Sequence, residues 1–248
     1  MLEVILLGTG TSAPNLKRRS SGVCIQVDDE PFIFDLGAGT LHRMLEAGID
    51  YKKVNRIFIT HQHPDHCSDL IPFLFGTNYT LGFERKTPLS IYGPKGFKGF
   101  IKKMAALFPW ITPKTYPLEI RELGKERIDQ VKAVPVLHGG MQALSYRLEA
   151  DGKAIVYSGD AGYCQDLIDI AQDADLLIIE CSFPETMSLP KVHLNTADVG
   201  RIAKASNAKR VILTHLNPFC EGVDLVGQVC KIYSGVVEEG KDLMRIVI

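Results

Sequence analysis

His61-Gln62-His63-Pro64-Asp65-His66 gathers three imidazoles and a carboxylate into six residues. Imidazole nitrogen and carboxylate oxygen are the donors that a borderline divalent cation such as zinc accepts. The preceding Arg56–Thr60 is short, apolar and partly β-branched, and it reads as a strand. Alternate positions beyond a strand end can point His61 and His63 at one ion. A turn at Pro64 and Asp65 then sets Asp65 and His66 toward a second. A polar loop with scattered histidines accounts for a lone HxH, but not for HxHxDH.

Outward from this stretch, three more donors each follow an apolar strand. His138 follows Val131–Leu137, Asp160 follows Ala154–Tyr157 within Ser158-Gly159-Asp160, and His215 follows Arg210–Thr214. Each alone reads as a turn residue; together, at strand ends, they complete a dinuclear set. The hexapeptides Arg56-Ile57-Phe58-Ile59-Thr60-His61 and Arg210-Val211-Ile212-Leu213-Thr214-His215 share one pattern. Both deliver a histidine where a strand gives way to a loop, which is where α/β architectures keep their chemistry.

The remaining pattern alternates strands with helices. Val4–Leu7, Val23–Val27, Phe32–Phe34, Leu144–Leu148 and Leu176–Glu180 read as strands by length and β-branched or aromatic content. Helices are expected at Leu41–Ala47 (closed by Gly48), from Leu70 through Phe75 with Ser68 or Asp69 as cap, near Cys164–Ala171, and at Thr196–Ala205. No linker composition interrupts the 248 residues. One α/β domain over 1–248 is expected, with two pseudo-symmetric halves, about 1–125 and 126–248.

Composition narrows the function classes. A net charge of −1 gives no whole-molecule attraction to nucleic acid or anionic lipid. No apolar run is long enough for a membrane span or a signal-peptide core. The six cysteines show neither CxxC spacing nor a disulfide rhythm, so isolated thiols in a reducing cytoplasm are expected. Gly8-Thr9-Gly10-Thr11-Ser12-Ala13 imitates a dinucleotide fingerprint, but Pro14 and the strand-like Val23–Val27 stand where a helix should begin. Lys95, Lys98, Lys102 and Lys103, interleaved with Phe97, Phe100, Leu107 and Trp110, read as an amphipathic helix with lysines in solvent and the apolar side chains in the core.

Over nearly its whole length the chain resembles metallo-β-lactamase-fold hydrolases of the tRNA 3′-processing (ribonuclease Z) branch. The likeness is carried by Leu7 to Pro14 with Arg19-Ser20-Ser21, by Phe34 to Thr40, by Ile91-Tyr92-Gly93-Pro94, and by His193-Leu194-Asn195-Thr196-Ala197. It implies an αββα sandwich and two metal ions. One ion would sit on His61, His63 and His138, the other on Asp65, His66 and His215, with Asp160 bridging. The resemblance also makes His193 the group that stabilises the transition state or protonates the leaving oxygen; without it, His193 reads as a loop residue before a helix capped by Thr196. Asp35 reads equally as a turn residue and as a support that orients a histidine ligand. His42 reads as a solvated helix residue.

The expected reaction is phosphodiester hydrolysis, of RNA, a nucleotide or a small diester, with a metal-bridging hydroxide as nucleophile and Asp65 and His193 as catalytic groups. Two dications less the charges of Asp65, Asp160 and hydroxide leave about one positive charge for an anionic substrate. Zinc is the expected metal, with manganese or iron as alternatives, and the resemblance implies a homodimer. A lactone, thioester, sulfate ester or β-lactam is the alternative substrate for the same centre. Diiron redox relatives carry Glu where His63 stands and a flavin partner domain, both absent here. Full tRNA processors of the branch carry a long arm between the residues matching His138 and Asp160. Residues 139–159 are too few for it, so a tRNA elbow would have to be gripped elsewhere.

Overall fold

The computed structural model describes residues 2–189 and 191–248. The chain first lays down β1 (Leu2–Gly8), β2 (Gly22–Val27), β3 (Glu30–Phe34), α1 (Thr40–Glu46), β4 (Arg56–Phe58), α2 (Pro64–Cys67), α3 (Leu70–Tyr79), β5 (Leu89–Pro94), α4 (Phe97–Leu107) and β6 (Leu118–Leu123). It then adds β7 (Glu126–Ile128), β8 (Val131–His138), β9 (Met141–Ala150), β10 (Lys153–Tyr157), α5 (Gln165–Ile170), β11 (Leu176–Glu180), α6 (Thr196–Ser206), β12 (Arg210–Thr214), α7 (Leu225–Cys230), β13 (Val236–Glu239) and β14 (Arg245–Val247). Two seven-stranded mixed sheets result, ordered β14-β1-β2-β3-β4-β5-β6 and β13-β12-β11-β10-β9-β8-β7.

Why these strands face each other follows from their two-residue period. Phe58 and Ile178 join a cluster shared by both sheets, with Phe34, Tyr92, Tyr146 and Tyr157. Their neighbours Ile57 and Leu177 point the other way, under the outer helices. Strands buried on both faces carry continuous apolar runs, and the order of layers is helix, sheet, sheet, helix. Between the sheets Phe58 stacks on Phe34 at 5.1 Å and on Tyr92 at 4.6 Å between ring centroids. Burying such a side chain contributes on the order of 1.5–3 kcal/mol.

The topology also places the chemistry. β3, β4 and β5 run parallel in one sheet, and β10, β11 and β12 run parallel in the other. Asp35, Thr60-His61, Asp160, Glu180 and His215 stand at or just past the carboxyl ends of these strands, the edge where α/β sheets bind ligands. Among the described residues no helix is long and apolar enough to cross a membrane.

Several local expectations are corrected. β4 stops at Phe58 because Thr60 turns its N–H to the Asp35 carboxylate (2.7 Å) instead of to a ladder carbonyl. Asp69 precedes α3 but does not cap it; its carboxylate accepts from Gly39 N (3.0 Å) and Leu41 N (2.9 Å), closing the start of α1. Asn195, not Thr196, caps α6, in a reciprocal capping box with Asp198. In α4 Phe97 is buried as expected, but Leu107 and Trp110 are exposed, because the helix ends at Leu107 and the following turn faces outward. The six cysteines are free thiols, four of them buried.

Candidate metal centre

The sequence from His61 to His66 performs two turns in one loop. His63 is extended, and Pro64 starts α2, whose single turn carries Asp65 and His66. Pro at the first helical position costs no hydrogen bond and fixes the helical φ. Gly37 allows this turn to dock: a Cβ there would lie 2.1 Å from the Asp65 carbonyl oxygen. Asp35 and His215 both take φ near the left-handed region (60° and 53°) directly after their strands. For a histidine such a backbone is uncommon, and it persists where surrounding structure over-determines it.

All seven sequence-predicted ligand residues come together. Donor atoms of His61, His63, His138 and Asp160 lie within 4.8 Å of one another, as do those of Asp65, His66 and His215. Asp160 links the two groups: its Oδ1 is 3.2 Å from His66 Nε2 and 3.3 Å from His215 Nε2, and its Oδ2 is 3.8 Å from His61 Nε2. His61 Nε2 and His63 Nδ1 face each other at 2.9 Å.

For three of the histidines the inward nitrogen is set by what the other ring nitrogen does. His66 Nδ1 contacts Asp35 Oδ2 at 2.7 Å, His138 Nδ1 the Val192 carbonyl at 2.8 Å, and His215 Nδ1 the Ser182 hydroxyl at 3.0 Å. With Nδ1 satisfied, Nε2 is the atom left to act as a lone-pair donor. Asp35, whose role the sequence left open, is fully buried and also accepts from Thr60 N–H and from Tyr157 O–H at 2.9 Å.

His66 Nε2, Asp160 Oδ1 and His215 Nε2 are buried polar atoms without a hydrogen-bond partner, and all three converge on one point. Orphaned buried polar atoms of this kind are costly unless an ion or water satisfies them. Electrostatics agree. Burial, with neighbouring histidines, holds His61 and His63 below the usual imidazole range, in the neutral form a metal requires. Burial opposes charge on His66, yet Asp160 and Asp35 outweigh it and raise this imidazole well above its ordinary value. Burial likewise opposes charge on Asp160, but His215 and His66 hold the carboxyl well below the ordinary value. The donor set fits divalent cations.

The cluster floors a cleft of about 340 Å³, walled by Thr11, Ser12, Ser182, Phe183, His193 and Asn217. His193 places Nδ1 3.2 Å from both carboxylate oxygens of Glu180 and 3.8 Å from Asp160 Oδ2. Burial lowers its affinity for a proton, but the hydrogen bond and charge of Glu180 prevail and hold it up at about 9.

Residues 33–216 match the family described as Beta-lactamase superfamily domain. The chain belongs to that superfamily. It is 30% identical to ribonuclease Z of Bacillus subtilis (strain 168), across 89% of this chain and 90% of the relative. The metallo-β-lactamase-fold protein YhfI of Bacillus subtilis superposes with a TM-score of 0.85 at 25% identity, covering 99% of this chain and 98% of YhfI. Human tRNase Z, short form, superposes with a TM-score of 0.78 at 24% identity over 99% of both chains. The protein is a metal-dependent hydrolase of the β-lactamase superfamily, ribonuclease Z-like in sequence.

Against that family background, Glu180 is the residue that sequence reasoning missed. It is fully buried at the end of β11, and besides His193 it accepts from Ala161 N (2.6 Å), Ser182 O–H (2.7 Å) and Leu194 N (3.1 Å). The one signal in the sequence is a carboxylate ending an otherwise wholly apolar strand. His42 is exposed on α1 and stands apart from the cluster, as its sequence context suggests. β8 and β9 are joined by a tight hairpin through Gly139 and Gly140, so no arm leaves the domain there.

Proposed function

We propose that the protein is a phosphodiesterase that cleaves RNA or a related nucleotide diester at a dinuclear metal centre held by His61, His63, Asp65, His66, His138, Asp160 and His215. The observation that carries this reading is the His193–Glu180 pair beside the candidate ligands. A cleft that carries an imidazole backed by a buried carboxylate is suited to protonating a leaving alkoxide, whereas the opening of an activated carbonyl has less use for it. The ribonuclease Z likeness over 89% of the chain supports the same substrate class.

Bound divalent cations supply Lewis-acid neutralisation of phosphoryl oxygens and lower the pKa of water toward neutrality. The chain does the rest. Asp35, Ser182 and the Val192 carbonyl fix the tautomers of His66, His215 and His138. Asp160 spans both ligand groups and sets their separation. Asp65, with Oδ2 3.5 Å from His215 Nε2, stands on the cleft side and orients water against the substrate phosphorus. His193 passes its proton to the departing oxygen, and Glu180 stabilises the imidazolium until it does so. Nearby cations lower the affinity of His193 for its proton, and Glu180 opposes that loss. Zinc suits the nitrogen-rich ligand groups best, with manganese or iron able to occupy the same donors.

Reconstituted protein is expected to hydrolyse bis(p-nitrophenyl) phosphate, to lose turnover on chelation, and to regain it with zinc or manganese. The matching phosphomonoester, a lactone and a β-lactam should stay unreacted. Turnover of a carbonyl substrate with silence on the diester would overturn this reading.

A further inference from the structure

Three aromatic rings lead out of the cleft in a row. His193 faces Phe183 edge-on at 6.2 Å between centroids, and Phe183 meets Phe219 at 6.5 Å. Phe183 is 7% exposed and pinned by its carbonyl, which accepts from Thr196 N at 3.1 Å. Phe219 is 60% exposed. Its backbone is fixed: it sits in the short helical turn Pro218–Cys220, whose cap Asn217 accepts from Phe219 N at 3.3 Å. That turn follows His215 and Leu216 directly, and Leu216 N is tied to the Thr9 carbonyl at 2.8 Å. Asn217 lines both the metal cleft and a neighbouring cavity of about 660 Å³, so the turn forms the ridge between the two. A single exposed phenylalanine needs no explanation. An exposed ring on a hydrogen-bonded turn, continuing an aromatic row that starts at the proposed proton donor, does.

We infer that Phe219, backed by Phe183, is the stacking platform for the base of the nucleoside that leaves during cleavage. The inference rests on the phosphodiesterase reading and adds a specificity residue to it. A group departing toward His193 lies along this row, and the flat faces of nucleobases stack on aromatic side chains whatever their sequence. Ring contacts of this kind require no hydrogen-bond readout, so purine and pyrimidine leaving groups are both accepted, with purines favoured by their larger face.

The test compares two short oligonucleotide diesters that differ only in the leaving nucleoside, one bearing adenine and one abasic. Wild-type protein should cleave the adenine substrate with a roughly tenfold higher kcat/KM. Phe219→Ala should abolish that preference while leaving abasic turnover within about twofold, whereas Phe219→Trp should keep it. Metal content and Tm of Phe219→Ala should match wild type, since the ring is mostly in solvent. Equal wild-type turnover of both substrates, or a preference that survives Phe219→Ala, would overturn the platform and leave the phosphodiesterase reading intact. Absence of wild-type turnover on both would overturn the two together.

Discussion

Asp160→Asn should lower metal occupancy and cut diester turnover by roughly three decades or more, because several kcal/mol of charge stabilisation depend on two correctly spaced cations. The substitution keeps volume and removes one charge at the point where the two ligand groups meet. Asp160 Oδ1 lies 3.2 and 3.3 Å from two histidine nitrogens of one group, while Oδ2 faces His61 of the other. Asparagine retains one oxygen and turns an amide toward the rest, so a shared site loses its bridging charge. Elemental analysis beside the kinetic assay checks this. Full metal occupancy in the variant would reduce Asp160 to a partner in histidine ion pairs.

His193→Ala is the second large effect, and its signature differs. The seven proposed ligands are untouched, so metal content should be unchanged while kcat falls by roughly 10²–10⁴-fold. Glu180→Gln should reproduce part of that loss, about tenfold to a hundredfold, since it removes the charge that holds the imidazolium and its single oxygen can accept from only one of Ala161 N and Leu194 N, which now use opposite carboxylate oxygens. A leaving group of low pKa needs little protonation. The deficit of both variants should therefore shrink when p-nitrophenolate replaces an alkoxide. A deficit independent of the leaving group would argue that His193 binds the phosphate instead. Loss of metal in His193→Ala would move it into the ligand set, where its 3.8 Å approach to Asp160 already places it near.

That these seven residues meet could be read from the sequence because His61, His138, Asp160 and His215 each stand at or just past a strand end, with His63, Asp65 and His66 close behind the first. A strand of apolar residues ends, and a histidine or aspartate follows where only a turn residue is otherwise expected. Parallel strands then bring those ends to one edge without further information. What stayed illegible depends on contacts between distant segments. Glu180 reads as the last residue of a strand; only its meeting with His193 and Ala161 gives its carboxylate a role. Asp35 became an orienting group once His66 Nδ1 was placed 2.7 Å away. Asp69 occupies a cap position for α3 yet serves α1, a choice made by tertiary packing against local preference. β14 has three residues, and its register, Val4 against Ile246, is set by the far end of the chain. The outward turn after α4 sends Leu107 and Trp110 into solvent, which helical periodicity alone does not foretell.

Asp160 stands between the two proposed ligand groups, and counting the cations they hold is the most direct test of a dinuclear centre. Protein purified, stripped and reloaded with zinc, then passed through a desalting column, should carry two ions per chain by elemental mass spectrometry, with both lost together in Asp160→Asn. One ion per chain in the active wild-type enzyme would contradict the dinuclear centre, and full activity in the stripped protein would contradict the metal chemistry altogether.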